Sequence, residues 1–241
     1  MAREILKKVS VKGPKGQPGA CILYSDGTIR IDWIRFSYPH LKRAHKKEGD
    51  AGEAKFSLTS LLMKKTHKNA HALINERMDE LLAENKIKKL GADKKFLRDG
   101  DESDREEHEG AWTLNAREAR RPPLRDRRNE PVEPDDVDEV FRPGFWGTVL
   151  VRPWFQNNKH GKRLNAGLSS VQMIMKDEEF GEGRLSEDDL DDTFESYDED
   201  DDGYDDDEDE DDAPRRKKSS SKKSSSKKSR RDDDDDDEDD I

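Results

Sequence analysis

The chain has 241 residues, of which 43 % are charged and only 29 % are hydrophobic, and its formal net charge is −12. Residues 185–241 hold 28 acidic and 10 basic residues, whereas residues 1–184 hold 30 acidic and 36 basic residues. About 180 residues suffice for one domain but not for a long catalytic barrel or a two-domain dinucleotide enzyme.

No apolar run reaches the roughly 18 residues that a membrane helix requires, and the N-terminus lacks the apolar core of a signal peptide. A single cysteine, Cys21, permits no internal disulfide and is interpreted as structural. We therefore expect an intracellular protein with no membrane partner.

The N-terminal segment, residues 1–24, is basic and carries Gly and Pro over residues 13–19, which predicts a flexible basic arm. Residues 28–36 are β-branched and aromatic, which predicts a strand, and Tyr38-Pro39 should end it because proline donates no ladder hydrogen bond.

The remaining elements follow from periodicity. Apolar residues at 3.6-residue spacing, Ala70, Ile74, Met78, Leu81 and Leu82, predict one amphipathic helix ending near Asn85. Apolar alternation predicts further strands within residues 54–62, 111–116, 140–155 and 164–175. One helix among short strands favours an all-β fold with an inserted helix, a five-stranded OB-fold barrel over residues 25–184.

Catalytic patterns are weak, and neither a catalytic residue nor a cofactor is predicted. No Gly-x-Ser-x-Gly elbow occurs. His67 and His71 lie four residues apart but lack the His-Glu-x-x-His arrangement, so a surface pair is expected and no metal site is predicted. A nuclease or phosphotransferase that holds Mg²⁺ on Asp99, Asp101 and Asp104 remains an alternative.

Basic residues beside aromatic residues recur in three segments, a combination typical of single-strand binding, in which bases stack and cations follow the phosphates. The predicted stacking residues are Tyr38, Trp112 and Phe155. The predicted phosphate contacts are Lys42, Arg43, Lys46, Arg117, Arg120, Arg121, Lys159, Lys162 and Arg163.

The C-terminal tail, residues 185–241, has too few apolar residues to offset the entropy of ordering, which predicts disorder. Residues 187–212 include 19 acidic residues, a basic serine-rich insert spans residues 215–231, and nine acids precede Ile241. Such a tail is expected to compete with DNA for the basic body and to dock partners through Asp232, Asp237, Asp240 and Ile241.

Several short motifs occur in the order found in one known family. They include Arg35-Phe36-Ser37-Tyr38-Pro39-His40-Leu41, Glu109-Gly110-Ala111-Trp112-Thr113-Leu114-Asn115-Ala116, Phe141-Arg142-Pro143-Gly144-Phe145-Trp146-Gly147 and Gly161-Lys162-Arg163-Leu164-Asn165-Ala166-Gly167-Leu168. Over residues 25–180 the chain resembles the OB-fold single-stranded DNA-binding proteins of tailed bacteriophages. Tails in that family often end in an aromatic residue, whereas this one ends in Ile241.

The resemblance implies a protein that coats single-stranded DNA without strong sequence preference in phage replication, recombination and repair. It implies partners such as a phage DNA polymerase, helicase-primase or recombinase, and leaves a homodimer open. The alternative is an acidic-tailed chaperone or interaction protein for basic proteins.

Overall fold

A computed structural model describes residues 3–46, 52–159 and 161–180. All of them belong to the first of two units, Met1–Leu190, and the second unit is Asp191–Ile241. The predicted disordered tail, with its docking residues Asp232, Asp237, Asp240 and Ile241, lies outside the described residues.

The described residues form nine strands in one sheet, and two α-helices. The strands are β1 (Ile5–Lys12), β2 (Pro18–Tyr24), β3 (Ile29–His45), β4 (Lys55–Met63), β5 (Leu97–Asp99), β6 (Ala111–Glu118), β7 (Leu124–Arg125), β8 (Trp146–Asn158) and β9 (Gly161–Met175). The helices are α1 (Lys68–Glu84) and α2 (Val137–Val140), with 3₁₀ turns at Ala92–Lys94 and Glu106–His108.

Five of the strands close into a barrel in the order β3-β4-β6-β9-β8 and back to β3. Every neighbouring pair in this ring is antiparallel except β6 and β9, which run parallel where Ala116 and Arg117 face Ala166 and Gly167. The closed ring confirms the predicted five-stranded OB-fold barrel, with α1 inserted between its second and third strands.

The barrel interior follows from residue alternation. Leu58 of β4, Leu114 and Ala116 of β6, and Val149 and Val151 of β8 are all buried, whereas the alternate residues Thr59, Asn115 and Arg152 are half-buried or exposed. Closure turns one face of the sheet into a continuous apolar core and leaves the other face for solvent and ligands.

The predicted helix is confirmed as α1, because its apolar residues fall on one side at 3.6-residue spacing. Ile74 and Met78 are fully buried, and the helix packs against β1, β2 and β8. His67, directly before the helix, is also fully buried, so the expected surface pair of His67 and His71 is wrong.

The expected flexible arm over residues 1–24 is also wrong, because β1 and β2 pair as a hairpin and β2 pairs with β3. The alternation of Val9 and Val11 with polar residues supports the first strand. The glycines that suggested flexibility serve packing instead: a Cβ on Gly13 or Gly19 would lie within 2.8 or 2.4 Å of the Trp33 ring.

Strand β3 does not end at Tyr38-Pro39, as predicted, but continues to His45. Its pairing with β4 shifts register between Ser37 and His40, and Tyr38 has a positive φ of 49°. The proline therefore lies in a bulge, where the ladder requires no hydrogen bond from its nitrogen. The extension of β3 beyond Pro39 places the basic end of the strand beside β4, where His45 pairs with Lys55.

Candidate nucleic-acid interface

One row of outward-facing residues crosses the barrel. Arg152 of β8 lies opposite Gly167 of β9, Gly167 beside Arg117 of β6, Arg117 opposite Ser57 of β4, and Ser57 opposite His40 of β3. Paired residues on adjacent strands face the same side of a sheet. At about 4.8 Å per strand, the row is roughly 19 Å long.

Gly167 lies in the middle of this row and carries no side chain, so the surface is lowered between the two exposed arginines Arg117 and Arg152. A Cβ there would lie 3.4 Å from Glu118 Oε2 and 3.7 Å from Arg152 O. The Glu118 carboxylate therefore lies beside this gap, a guanidinium lies on each side of it, and Arg152 Nη2 is 3.8 Å from Asp26 Oδ2.

A second row lies one step further along the hairpin of β8 and β9. Trp154 pairs with Asn165, and Gln156 pairs with Arg163. Trp154 is 44 % exposed, and Arg163 is exposed. This hairpin face therefore places an aromatic ring, amides and a cation on the same side as the arginine row.

At the β3 end of the row, the imidazoles of His40 and His45 stack with centroids 4.2 Å apart and 13° between the planes. Burial, followed by the charges of His45 and Arg117, lowers the pKa of His40. The neutral form of His40 is therefore favoured, and an approaching anion would favour its protonation.

Lys42 and Arg121 are brought together near this end. Arg121 donates to the main-chain oxygen of Lys42 and lies 5.6 Å from the ring centroid of Phe56. Lys42 Nζ also lies 3.2 Å from Asp138 Oδ2, an exposed ion pair that is expected to contribute little stability.

Tyr38 lies on the bulge of β3, but one side of its ring is occupied. The guanidinium of Arg105 lies 4.2 Å from the ring centroid, and the Tyr38 hydroxyl donates to Glu107 Oε1 at 2.8 Å. His108 holds the 3₁₀ turn Glu106–His108 to β3, because its Nε2 lies 3.2 Å from Ser37 Oγ. A base that stacked on this face of Tyr38 would have to displace Arg105.

Trp112 belongs to the opposite face of β6 from Arg117 and is separated from the row. Its ring stacks on His71 of α1 at 3.9 Å and packs against the core. The expected exposed stacking face is thus covered on one side by the helix.

Phe155 likewise packs against the core, whereas its neighbour Trp154 is exposed. The sequence analysis predicted Phe155 as a stacking residue and did not predict Trp154 or Arg152 as contacts. The alternation of residues along β8 identifies them. Val149 and Val151 point inward, so Arg152 and Trp154 must point outward.

The other predicted phosphate contacts are exposed in the structure, and they occupy two places. Arg43 and Lys46 lie at the end of β3 and Arg120 follows β6, while Lys159 and Lys162 are at the tip of the β8–β9 hairpin. Together with the rows, they make both ends of this face basic.

The aspartates of the metal-dependent alternative are engaged elsewhere. Lys64 Nζ lies 2.6 Å from Asp101 Oδ2 and also contacts Asp99. These contacts with Lys64, and the amide of Gly110, lower the pKa of Asp101. Among residues 3–46, 52–159 and 161–180, no group of three or more His, Cys, Asp or Glu is placed to hold a metal ion.

No helix in the described part of the chain is both long and apolar enough to cross a membrane.

Comparison with known proteins gives one family. The family described as "Enterobacter phage Enc34, ssDNA-binding protein" matches residues 28–204. No curated protein matches the chain.

Three solved structures of the single-stranded DNA-binding protein from bacteriophage Enc34 are similar to this chain. A C-terminal truncation is 36 % identical with a TM-score of 0.66, covering 75 % of this chain and 98 % of its own. A complex with single-stranded DNA is 35 % identical with a TM-score of 0.66, covering 74 % and 98 %. A third structure is 37 % identical with a TM-score of 0.62, covering 76 % and 98 %.

Proposed function

Because the chain belongs to the family of the bacteriophage Enc34 single-stranded DNA-binding protein, we propose that it binds single-stranded DNA across the outward face of its barrel. The family is non-enzymatic, and no catalytic residue or cofactor is proposed. A relative that is 35 % identical has been solved in complex with single-stranded DNA, which supports this ligand.

The observation that carries the proposal is the row Arg152–Gly167–Arg117–Ser57–His40 with Trp154 beside it. Two guanidiniums flank a position without a side chain. A phosphodiester backbone that displaces the Glu118 carboxylate from Gly167, and Asp26 from Arg152, can approach the sheet and contact both guanidiniums. Trp154 offers a ring for base stacking, at about 1–3 kcal/mol per base. Both interactions are available to any base sequence.

The flanking basic residues extend the path of the backbone. At one end we assign phosphate contacts to Lys42, Arg43, Lys46, Arg120 and Arg121. At the other end we assign them to Lys159, Lys162 and Arg163. Their position at the two ends of the face supports this role, and each neutralised phosphate should release counterions and make binding salt-dependent.

We further propose that the protein coats single-stranded DNA during phage replication, recombination and repair. The tail, residues 185–241, carries a net charge of −18 and would compete with DNA for the basic face. It would also dock a phage DNA polymerase, helicase-primase or recombinase when DNA displaces it.

The test is the binding of fluorescent oligo-dT, measured by anisotropy across a salt series. Arg117→Ala and Arg152→Ala should each weaken binding and reduce the slope of log K against log salt by about one. Lys89→Ala, which removes an exposed cation after α1, should leave both unchanged. Equal behaviour of all three variants would contradict the proposed site.

The tail is tested by comparing the full chain with a truncation ending at Arg184. Tighter binding by the truncation at low salt, converging with the full chain at high salt, is the expected result. Equal affinity at every salt concentration would rule out competition. Absence of oligo-dT binding by both forms, with binding to isolated histones, would favour the chaperone alternative.

A further inference from the structure

Trp154 differs from Trp112, Tyr38 and Phe56 because, within the described residues, no other side chain stacks on its ring. His71 covers Trp112, Arg105 covers Tyr38, and Arg121 lies over Phe56. Trp154 is 44 % exposed, and no ring or guanidinium of the described residues stacks on it. A base can therefore stack there without first displacing a protein group.

A chain of side-chain amides lies beside this ring. Asn165, directly opposite Trp154, donates from Nδ2 to Gln156 Oε1 at 2.9 Å. Gln156 in turn donates from Nε2 to Asn158 Oδ1 at 3.0 Å. These two hydrogen bonds fix the direction of the Asn165 amide, with its nitrogen toward Gln156 and its oxygen away from it.

The Asn165 amide retains both a donor and an acceptor for a ligand. One Nδ2 hydrogen is used by Gln156, and within the described residues Oδ1 has no hydrogen-bond partner. Directly opposed residues have Cβ atoms about 4.5–5.5 Å apart, so a base on Trp154 brings one edge within reach of Asn165. Adenine offers a matching edge, with a donor at N6 and an adjacent ring-nitrogen acceptor. Its two fused rings also cover more of the indole than a pyrimidine ring does, which strengthens stacking.

We propose that Trp154 and Asn165 form a nucleobase subsite that favours adenine, with Trp154 stacking on the ring and Asn165 reading its edge. The inference rests on the proposed function, since it gives one position of the DNA face a preference within otherwise sequence-independent binding. Gln156 is a positioning residue, because it orients the Asn165 amide without needing to touch the base.

The experiment measures the dissociation constants of the full chain for equal-length oligomers of deoxyadenosine, thymidine and purine deoxyriboside. The purine analogue keeps the stacking ring but lacks the N6 amino group. The wild-type chain should bind oligo-dA about fivefold more tightly than the purine analogue. In Asn165→Ala this difference should disappear, because the variant has no amide oxygen to accept from the N6 amino group.

Two matched variants separate stacking from edge reading. Trp154→Ala should weaken binding of all three oligomers, and Trp154→Phe should restore most of it. Gln156→Ala should reduce the preference for oligo-dA over the purine analogue without abolishing binding. Circular dichroism and the melting temperature verify that each variant folds.

The outcomes distinguish the two proposals. If wild-type protein binds none of the oligomers, the proposed function fails. If it binds all three and oligo-dA shows no advantage over the purine analogue, or the advantage survives in Asn165→Ala, the adenine subsite fails and sequence-independent binding stands.

Discussion

The imidazole of His71 on α1 stacks on the indole of Trp112 on β6, with ring centroids 3.9 Å apart and 14° between the planes. This contact joins the helix to the third barrel strand. Burial lowers the pKa of His71, which favours the neutral ring that stacks on the indole. The pair therefore has a packing role on the opposite face of β6 from the arginine row.

Trp112→Ala should consequently reduce stability more than DNA affinity. Truncating a half-buried tryptophan that packs on the core should lower the free energy of unfolding by about 3 kcal/mol. Urea denaturation measures this loss, and the affinity for oligo-dT, measured by anisotropy, should change less than about twofold. The exposed Trp154→Ala is the matched comparison and should show the reverse pattern. A folded Trp112→Ala protein with much weaker binding would instead assign Trp112 to the DNA site.

Side chains of increasing size at position 167 test whether the DNA backbone approaches the sheet at Gly167. Its Cβ position lies at ordinary contact distance from Arg152 O and close to Glu118 Oε2, so Gly167→Ala should fold with little strain. Gly167→Leu should project between Arg117 and Arg152 and weaken oligo-dT binding about tenfold, which corresponds to about 1.4 kcal/mol. Gly167→Ala should reduce the affinity for oligo-dT by a smaller factor. Undiminished affinity in the leucine variant would place the DNA path away from the glycine.

Stability should depend on pH through buried histidines. The Nε2 of His67 donates to Asp32 O at 3.0 Å, and its Nδ1 lies 2.9 Å from Thr66 Oγ1. Burial lowers the pKa of His67, and likewise that of His108. The unfolded chain then binds more protons than the folded chain once the pH falls below about 6.5.

The free energy of unfolding should therefore decrease by about 1 kcal/mol or more when the pH is lowered from about 7.5 to about 5.5. Urea titrations at the two pH values measure the change. His67→Gln should have a lower free energy of unfolding than the wild-type chain at the higher pH. Its free energy of unfolding should decrease less on acidification, because the substitution removes one titrating group. An unchanged pH dependence in that variant would assign the effect to other groups.

Cys21 should report global unfolding. It is fully buried in β2, and burial, followed by the charge of Asp32, raises its pKa to about 12. Because the thiolate is the reactive form, the native protein should not react with a disulfide reagent at about pH 8. Denaturant should release one thiol per chain. Rapid labelling of the native protein would show that the β1–β2 hairpin opens locally.

The sequence alone determined the elements whose periodicity is local. Ile74, Met78 and Leu82 recur at helical spacing, and that spacing by itself locates α1. Alternating apolar residues likewise located β4, β6 and β9, and the strand–helix order indicated the barrel. The basic and aromatic composition pointed to nucleic acid because both interactions depend on residue type more than on exact position.

Tertiary structure decided the features that depend on contacts between distant residues. Trp33 packs over Gly13 and Gly19, so a glycine-rich segment that is typical of a flexible arm becomes an ordered hairpin. Pro39 fits within β3 because the pairing with β4 shifts register there.

The candidate site likewise combines features set by local sequence with features set by contacts between distant residues. Arg117 and Arg152 are far apart in sequence, and only the parallel pairing of β6 with β9 places them on either side of Gly167. Local composition supplied the charges. Barrel closure decided which of them share a face, because strand pairing joins residues that no local pattern connects.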